Sequence, residues 1–310
     1  MLRDSSSICV HTMLQSKQSD AFLAVAETGS FELAAERLNI TASAVTLRVQ
    51  TLEKQLGQIL ILRERPCKVT ATGQNVLQFL QQQRLLEHNL IQSLHGQRSP
   101  SQFFKFNIAS NADALATWLL PSLQEILIRE KIIINLKLDD QTQTHHLLEA
   151  GLVNACISTE VKTMNGCVAM ALGKMRYRMV ATPEFAQHYF ANGVNREVLR
   201  SVPAVIFNEK DHVHDHILQQ HFGLTQNTYP CHFIPSSTAF MDAILLGLGY
   251  GMLPDLQMQA HLDDGKLIDI MPFAYTDIQL YWHHWKQQSR QLEQLTHALI
   301  QQTKTILVQN

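Results

Sequence analysis

Apolar and polar positions change rhythm twice along this chain. Between residues 14 and 28, Leu14, Phe22, Val25 and Ala26 fall near one face of a helix that Gly29 ends, with Ser30 placed to cap the next element. Phe31, Ala34, Ala35 and Leu38 mark a short second helix, which Asn39 and Thr41 interrupt. A third helix, about residues 42–56, carries Val45, Val49, Leu52 and Leu56 as one narrow apolar stripe. Its opposite face carries Ser43, Leu47, Gln50, Thr51 and Lys54, with Thr46 and Arg48 on the flanks. Gly57 ends it, and LILRER followed by PCKVT reads as a hairpin with Pro66 at its turn. From Thr70 to about His95 a single seam of Val76, Phe79 or Leu80, Leu86, Leu90 and Leu94 predicts a long helix. Its seam can pack on its own domain or on a second chain; the polar GQRSPSQ linker at 96–102 favours a partner chain.

Beyond residue 103 strands alternate with helices. FKFNIAS (104–110), IIINLKL (132–138) and NACIS (154–158) read as strands, separated by the helices ADALATWLLPSLQEILI and THHLLEAG. A second set follows: PAVIF (203–207), a helix at about 212–222, CHFIP (231–235), a helix at 237–247 and YGMLP (250–254), with a closing amphipathic helix from Ser289 to Leu307. Such alternation predicts βαβ units in a mostly parallel sheet. Two similar α/β lobes predict a clamshell with a small ligand in the crevice at the strand ends.

Charge sharpens the picture of the first part. The whole chain has a formal net charge of −2, yet between Arg37 and Lys68 six Lys/Arg face only Glu53 and Glu64. That concentration suits phosphate binding, and three short helices plus a basic hairpin make a winged helix-turn-helix. The free face of the third helix offers hydrogen-bonding groups to base edges and phosphates, although an ordinary solvated face would look similar.

Other chemistry recedes. GxSxG, GxxxxGK[ST] and GxGxxG patterns are lacking, and GLGYG (247–251) has the wrong spacing, so no enzyme activity and no cofactor are expected. His212, His214, Asp215 and His216 cluster in one helix, but without an HExxH arrangement a solvated face is the simpler reading and no metal site is assigned. Cys9, Cys67, Cys156, Cys167 and Cys231 are widely spaced and expected as reduced thiols. No apolar run is long enough for a membrane span, and MLRDSSSICVHTM lacks the features of a secretory signal, so a soluble cytoplasmic protein is expected. MLRDSSSICVHT has no periodicity to fold with; residues 1–12 are expected to be disordered or to reflect an upstream start codon.

The run AFLAVAETGSFELAAERLNITASAVTLRVQTLEKQLG, followed by LILRERPCKVTATG, resembles the LysR-type family of bacterial regulators. The resemblance continues through the long helix and both lobes. NADALATWLLPSL (111–123), LGKMRY (172–177) and VIFNEKD (205–211) look like the branch that senses lysine and arginine and controls basic amino acid export. It implies a winged helix-turn-helix at 13–70, a dimerisation helix at 71–95, a hinge at 96–103 and a periplasmic-binding-protein-like sensor at 104–310. The sensor's first lobe would comprise about 104–182 plus 283–310, and its second about 183–282.

The resemblance further implies homodimers or homotetramers, a double-stranded DNA operator, and an effector that alters contact with RNA polymerase. The helix-turn-helix would run from Phe31 to Gln50. Ser43, Thr46, Leu47, Arg48, Gln50 and Lys54 would contact DNA from the third helix, and Arg63 and Arg65 from the wing. Ala42 and Leu47 are apolar where the family commonly has polar or charged residues, which implies an operator of altered sequence, with a thymine methyl group available to an apolar contact. For the effector, the matching positions are Ser110, Asn111, Asp113, Thr159, Asn208, Ser236 and Ser237. Amides at helix starts suit its carboxylate, and Asp113, Asp139 or Asp140 its cationic side chain. A regulator answering another small molecule or metal, or a solute-binding protein without DNA binding, are the competing readings.

Overall fold

The computed structural model describes residues 16–94, 103–139, 144–149, 151–164 and 166–309; the expectations for residues 1–12, most of the hinge and Asp140 lie outside them. The chain falls into two compact units, the first comprising residues 1–100 with 149–152 and the second residues 101–148 and 153–310.

The first unit begins with helices α1 (Ser16–Thr28), α2 (Phe31–Leu38) and α3 (Ala42–Leu56). Local chemistry sets their ends. The Ser30 hydroxyl accepts the Glu32 and Leu33 amides at the start of α2, and the Thr41 hydroxyl accepts the Ala44 amide at the start of α3. Asn39 and Gly57 close the two helices in the left-handed region, at φ 53° and 65°. Strands β1 (Ile61–Leu62) and β2 (Lys68–Val69) form the antiparallel wing. Glu53, in α3, accepts the backbone amides of Leu60 and Ile61, so this carboxylate fixes the chain where it turns into the wing.

The long helix α4 (Ala71–Leu94) completes the unit. Its first turns run close to the wing: a Cβ on Gly73 would lie 2.2 Å from the Leu60 carbonyl oxygen. Leu77 and Leu80 are buried with Phe22, Val25, Val45, Val49 and Leu52 in one core, whereas Phe79 is exposed. The first half of the seam therefore packs on its own domain, and Leu77, not Phe79, belongs to it. The side chains of Leu86, Leu90 and Leu94 lie outside the described residues.

The second unit runs β3 (Phe104–Ser110), α5 (Ala112–Thr117), α6 (Leu119–Arg129), β4 (Ile132–Leu138), α7 (Thr144–Glu149), β5 (Ala155–Ser158) and β6 (Cys167–Ala181). It continues with α8 (Pro183–Tyr189), α9 (Arg196–Leu199), β7 (Ala204–Ile206), α10 (His212–Phe222), β8 (Cys231–Phe233), α11 (Ser237–Leu245), β9 (Gly251–Pro254), α12 (Asp255–Asp263), β10 (Ile268–Asp269), β11 (Tyr275–Trp285) and α13 (Arg290–Ile306). The single helix expected after β3 is two helices. Pro121 has no amide proton for the Thr117 carbonyl, so it sits in the first turn of a new helix, and buried Trp118 marks the break.

The sheet is mixed, which corrects the mostly parallel expectation. β3 is parallel to β4 and β5, but β11 is antiparallel to β5 and β6, and β6 is antiparallel to β9 and β10. The cause is the long pair β6 and β11, which runs through both lobes. In β6, Met175, Tyr177 and Met179 are buried and alternate with Lys174, Arg176 and Arg178, a period of two. The register shifts at Leu280/Tyr281, opposite Gly173. Gly173 has φ 128°, and a Cβ there would lie 2.8 Å from the Leu307 Cβ, so the closing segment needs glycine at this point. The lobe boundary expected at 282/283 falls inside β11, whose residues 281–284 pair with β5. Parallel strands β7 and β8 extend the second lobe, with Ala204 bridged to Tyr250 beside β9. Trp282 fills the first lobe and donates to the Thr296 hydroxyl of α13.

Candidate functional site

Two surfaces carry the chemistry, one on each unit. On α3 the stripe Val45, Val49 and Leu52 is fully buried, so the opposite face is turned to solvent. Ser43, Leu47, Gln50 and Lys54 are exposed on it, and Thr46 and Arg48 are half-buried at its flanks. The Thr51 hydroxyl donates to the Leu47 carbonyl at 2.7 Å. Arg63 and Arg65 project from the wing, and the Arg63 guanidinium lies 5.4 Å from the centre of the Phe31 ring at the start of α2. Arg37 pairs with Glu27, and Lys68 with Glu64 at 3.0 Å. Arg48, Lys54, Arg63 and Arg65 form no ion pair among the described residues, so their charge remains available to a polyanion.

In the second unit a cavity of about 690 Å³ opens between the lobes. Its lining combines Asn111, Asp113 and Asp139 from the first lobe with Asn208, Lys210, Asp211 and His216 from the second. Tyr177, Thr276, Asp277 and Gln279 of the crossing strands line it as well. Four aspartates against one lysine make it an anionic recess. Two of them already hold structure. Asp277 receives both nitrogens of Arg176, at 2.8 and 2.9 Å, and that bonding holds its carboxyl below the usual range. Asp211 caps α10 and accepts the amides of Val213 and Phe207.

Asp113 is placed differently. It lies in the first turn of α5, whose N-cap is Asn111, and its two oxygens are held from two directions. The Tyr177 hydroxyl donates to Oδ2 at 2.8 Å, and the Ser237 hydroxyl, at the start of α11, donates to Oδ1 at 2.7 Å. Burial raises the Asp113 pKa above the ordinary carboxylate value, and the bonds from Ser237 and Tyr177 oppose that shift. Gln257 in α12 donates to the Ser237 carbonyl and steadies the second-lobe side. A carboxylate facing a cavity with only neutral donors on it is poorly compensated, and a cationic guest would supply what it lacks.

Comparison with known proteins decides the family. Residues 16–74 match the bacterial regulatory helix-turn-helix protein, lysR family, and residues 105–304 match the LysR substrate binding domain. The chain belongs to the LysR family. It is similar to the HTH-type transcriptional regulator ArgP of Vibrio vulnificus strain YJ016, at 38% identity over 93% of this chain and 96% of that protein. Among solved structures it resembles ArgP from Mycobacterium tuberculosis, with a TM-score of 0.83 and 31% identity over 96% of this chain and 100% of that one. It also resembles full-length LysG from Corynebacterium glutamicum with bound effector Arg, with a TM-score of 0.76 and 30% identity over 94% and 99%. This LysR-family chain is thus a DNA-binding transcriptional regulator with an effector-binding domain, not an enzyme.

Of the effector positions expected from sequence, Asn111, Asp113, Thr159 and Asn208 line the cavity. Ser110 is buried and does not line it, Ser236 caps α11, and Ser237 reaches the site through Asp113. Asp139 lines the cavity, while Asp140 lies outside the described residues. Sequence reasoning missed Tyr177, Asp211 and Asp277 as site residues. The first two were in view within LGKMRY and VIFNEKD, but nothing local connects them with Asp113. Among the described residues no three His, Cys, Asp or Glu gather as a metal set. His214 is buried and His216 lines the cavity, while the side chain of His212 lies outside the described residues. Cys67, Cys156, Cys167 and Cys231 are free thiols. No helix among the described residues is long and apolar enough to cross a membrane.

Proposed function

We propose that this regulator senses a basic amino acid, lysine or arginine, in the interlobe cavity and controls a gene for basic amino acid export in the cytoplasm. Asp113 is the group that pairs with the cationic side chain, with Asp139 beside it. Lys210, in the second-lobe part of the lining, pairs with the effector's carboxylate. The single observation that carries this reading is the anionic recess, in which the Tyr177 and Ser237 hydroxyls are the side-chain donors to Asp113 among the described residues. The likeness to LysG with bound effector Arg supports it.

On the DNA side, α3 enters the major groove with Ser43, Thr46, Leu47, Arg48, Gln50 and Lys54, and Arg63 and Arg65 of the wing meet the neighbouring backbone or minor groove. The domains divide at 13–70, 71–95, 96–103 and 104–310. Two chains pair through α4, as dimers or doubled into tetramers, so that two α3 helices reach half-sites about one helical turn apart. Occupancy of the cavity then changes how the assembly presents the promoter to RNA polymerase. Calorimetric titration of the full-length protein with arginine, lysine and citrulline tests the effector. Heat from arginine or lysine, with none from the uncharged citrulline, is the expected result; silence from both cations defeats the reading.

A further inference from the structure

We propose that Leu47 determines operator specificity by reading the 5-methyl group of a thymine in the major groove. This rests on the placement of α3 in the groove proposed above. Leu47 is 65% exposed on a face whose neighbours one turn away, Ser43 and Gln50, are polar. It is not a core residue turned outward, because Val45, Val49 and Leu52 already fill the packed side of α3 at 0% exposure. The next candidate donor along the helix, the Thr51 hydroxyl, commits its proton to the Leu47 carbonyl. A large apolar side chain therefore stands on the outer face of α3, among the exposed Ser43, Gln50 and Lys54, which can all hydrogen-bond.

The major groove offers such a side chain one kind of partner. Guanine shows N7 and O6, cytosine an amino group and adenine N7 with an amino group, whereas thymine adds a methyl group to its O4. Leucine has neither donor nor acceptor. Against a G·C pair it would cover polar edges without satisfying them; against thymine it buries a methyl group at no such cost. Leu47 thus selects through one favourable contact and through the penalty imposed on the other bases.

The test removes only the methyl group. Sites are selected with the full-length protein from a random duplex library, and the selected duplex is then remade with deoxyuridine at one thymine step at a time. At one step in each half-site the wild-type protein is expected to lose about fourfold in affinity per half-site, the worth of one buried methyl group. Leu47→Ala should bind more weakly and lose the difference between thymine and uracil at that step. Leu47→Gln, put through the same selection, should shift that step toward adenine. Both variants change an exposed residue, and unchanged thermal melting confirms that they fold. Equal affinity for thymine and uracil at every step, or an undiminished preference in Leu47→Ala, overturns the proposal. A library that yields no enriched duplex at all instead removes the placement of α3 in the groove, and this inference with it.

Discussion

The surface of α3 and the cavity of the sensor are built on opposite plans. The DNA-facing side chains of α3 lie between Ser43 and Lys54, and one helical period decides which of them face outward. In the cavity, Asp113 shares its carboxylate with Tyr177, 64 residues on, and with Ser237, 124 residues on. A rod can present its chemistry from local rules alone. A cleft depends on topology, and each lobe supplies only part of the contact. Changes on α3 should therefore act locally and additively, whereas changes at Asp113 should be felt by both lobes.

The largest effect expected lies inside the sensor, at His214. It is fully buried in α10, with neither ring nitrogen hydrogen-bonded, between the rings of Tyr229 and Tyr250 at 6.0 and 5.5 Å. Burial lowers its pKa to about 4, against the opposing charge of Asp215. The unfolded chain takes up this proton near the ordinary histidine value of about 6.5, so stability is complete above that pH and is lost as pH falls toward 4. The loss is on the order of 3 kcal/mol. Trp118, Trp282 and Trp285 all lie in the second unit, so tryptophan fluorescence in urea melts reports on the sensor. His214→Phe should remove most of the loss between pH 6.5 and 4.5. An unchanged pH slope in that variant would place the acid sensitivity elsewhere. Asp113 acts with the opposite sign at lower pH. Its raised pKa keeps the proton on the folded form longer, so its contribution favours folding as pH falls.

Next in size is Asp113→Asn, which keeps the shape and removes the charge. Arginine or lysine should bind roughly 50-fold more weakly, as expected when one side of a desolvated charge pair is lost. DNA binding without effector should stay within a factor of about two. Calorimetry and gel shift measure the two separately. In the wild type, affinity for the cation should rise with pH from the ordinary carboxylate range upward, until Asp113 is ionised in the empty site. A flat profile, with wild-type affinity in the asparagine variant, would show that the cation pairs elsewhere.

The same contrast decides how much was legible in the sequence. Ser30, Asn39, Thr41 and Gly57 mark helix ends through bonds made within a few residues, and the first unit follows directly from them. The parallel strands β3, β4, β7 and β8 were legible as short apolar runs. The pair β6 and β11 was not, although Met175, Tyr177 and Met179 alternate with basic residues. An alternating stretch reveals a strand but not its partner, and the antiparallel pairing that carries Tyr177 and Asp277 to the cavity is a property of the whole sheet. The Pro121 break was available in principle, since proline at the third position of a new helix is a local rule.

Smaller effects should stay within the first unit. Ser30→Ala and Thr41→Ala each remove a cap and should cost about 1 kcal/mol. Hydrogen exchange should show faster opening of amides in α2 for the first variant and in α3 for the second. The tryptophan-detected melt of the sensor should not move. A shift there would mean that the two units unfold as one.

The smallest effect separates affinity from sequence reading within the DNA surface itself. Arg63 stacks over Phe31 at the edge of the wing and presents a charge without shape complementarity to any one base. Arg63→Ala should weaken binding to all duplexes alike and lower the slope of log affinity against log salt by about 1 per protomer. Leu47→Ala should do the reverse, leaving the slope intact while changing which duplexes are preferred. The two variants therefore divide the surface by physical mechanism. If Arg63→Ala altered the selected sequence and left the salt slope unchanged, the wing would be reading bases, and the assignment of specificity to the outer face of α3 would have to be shared with it.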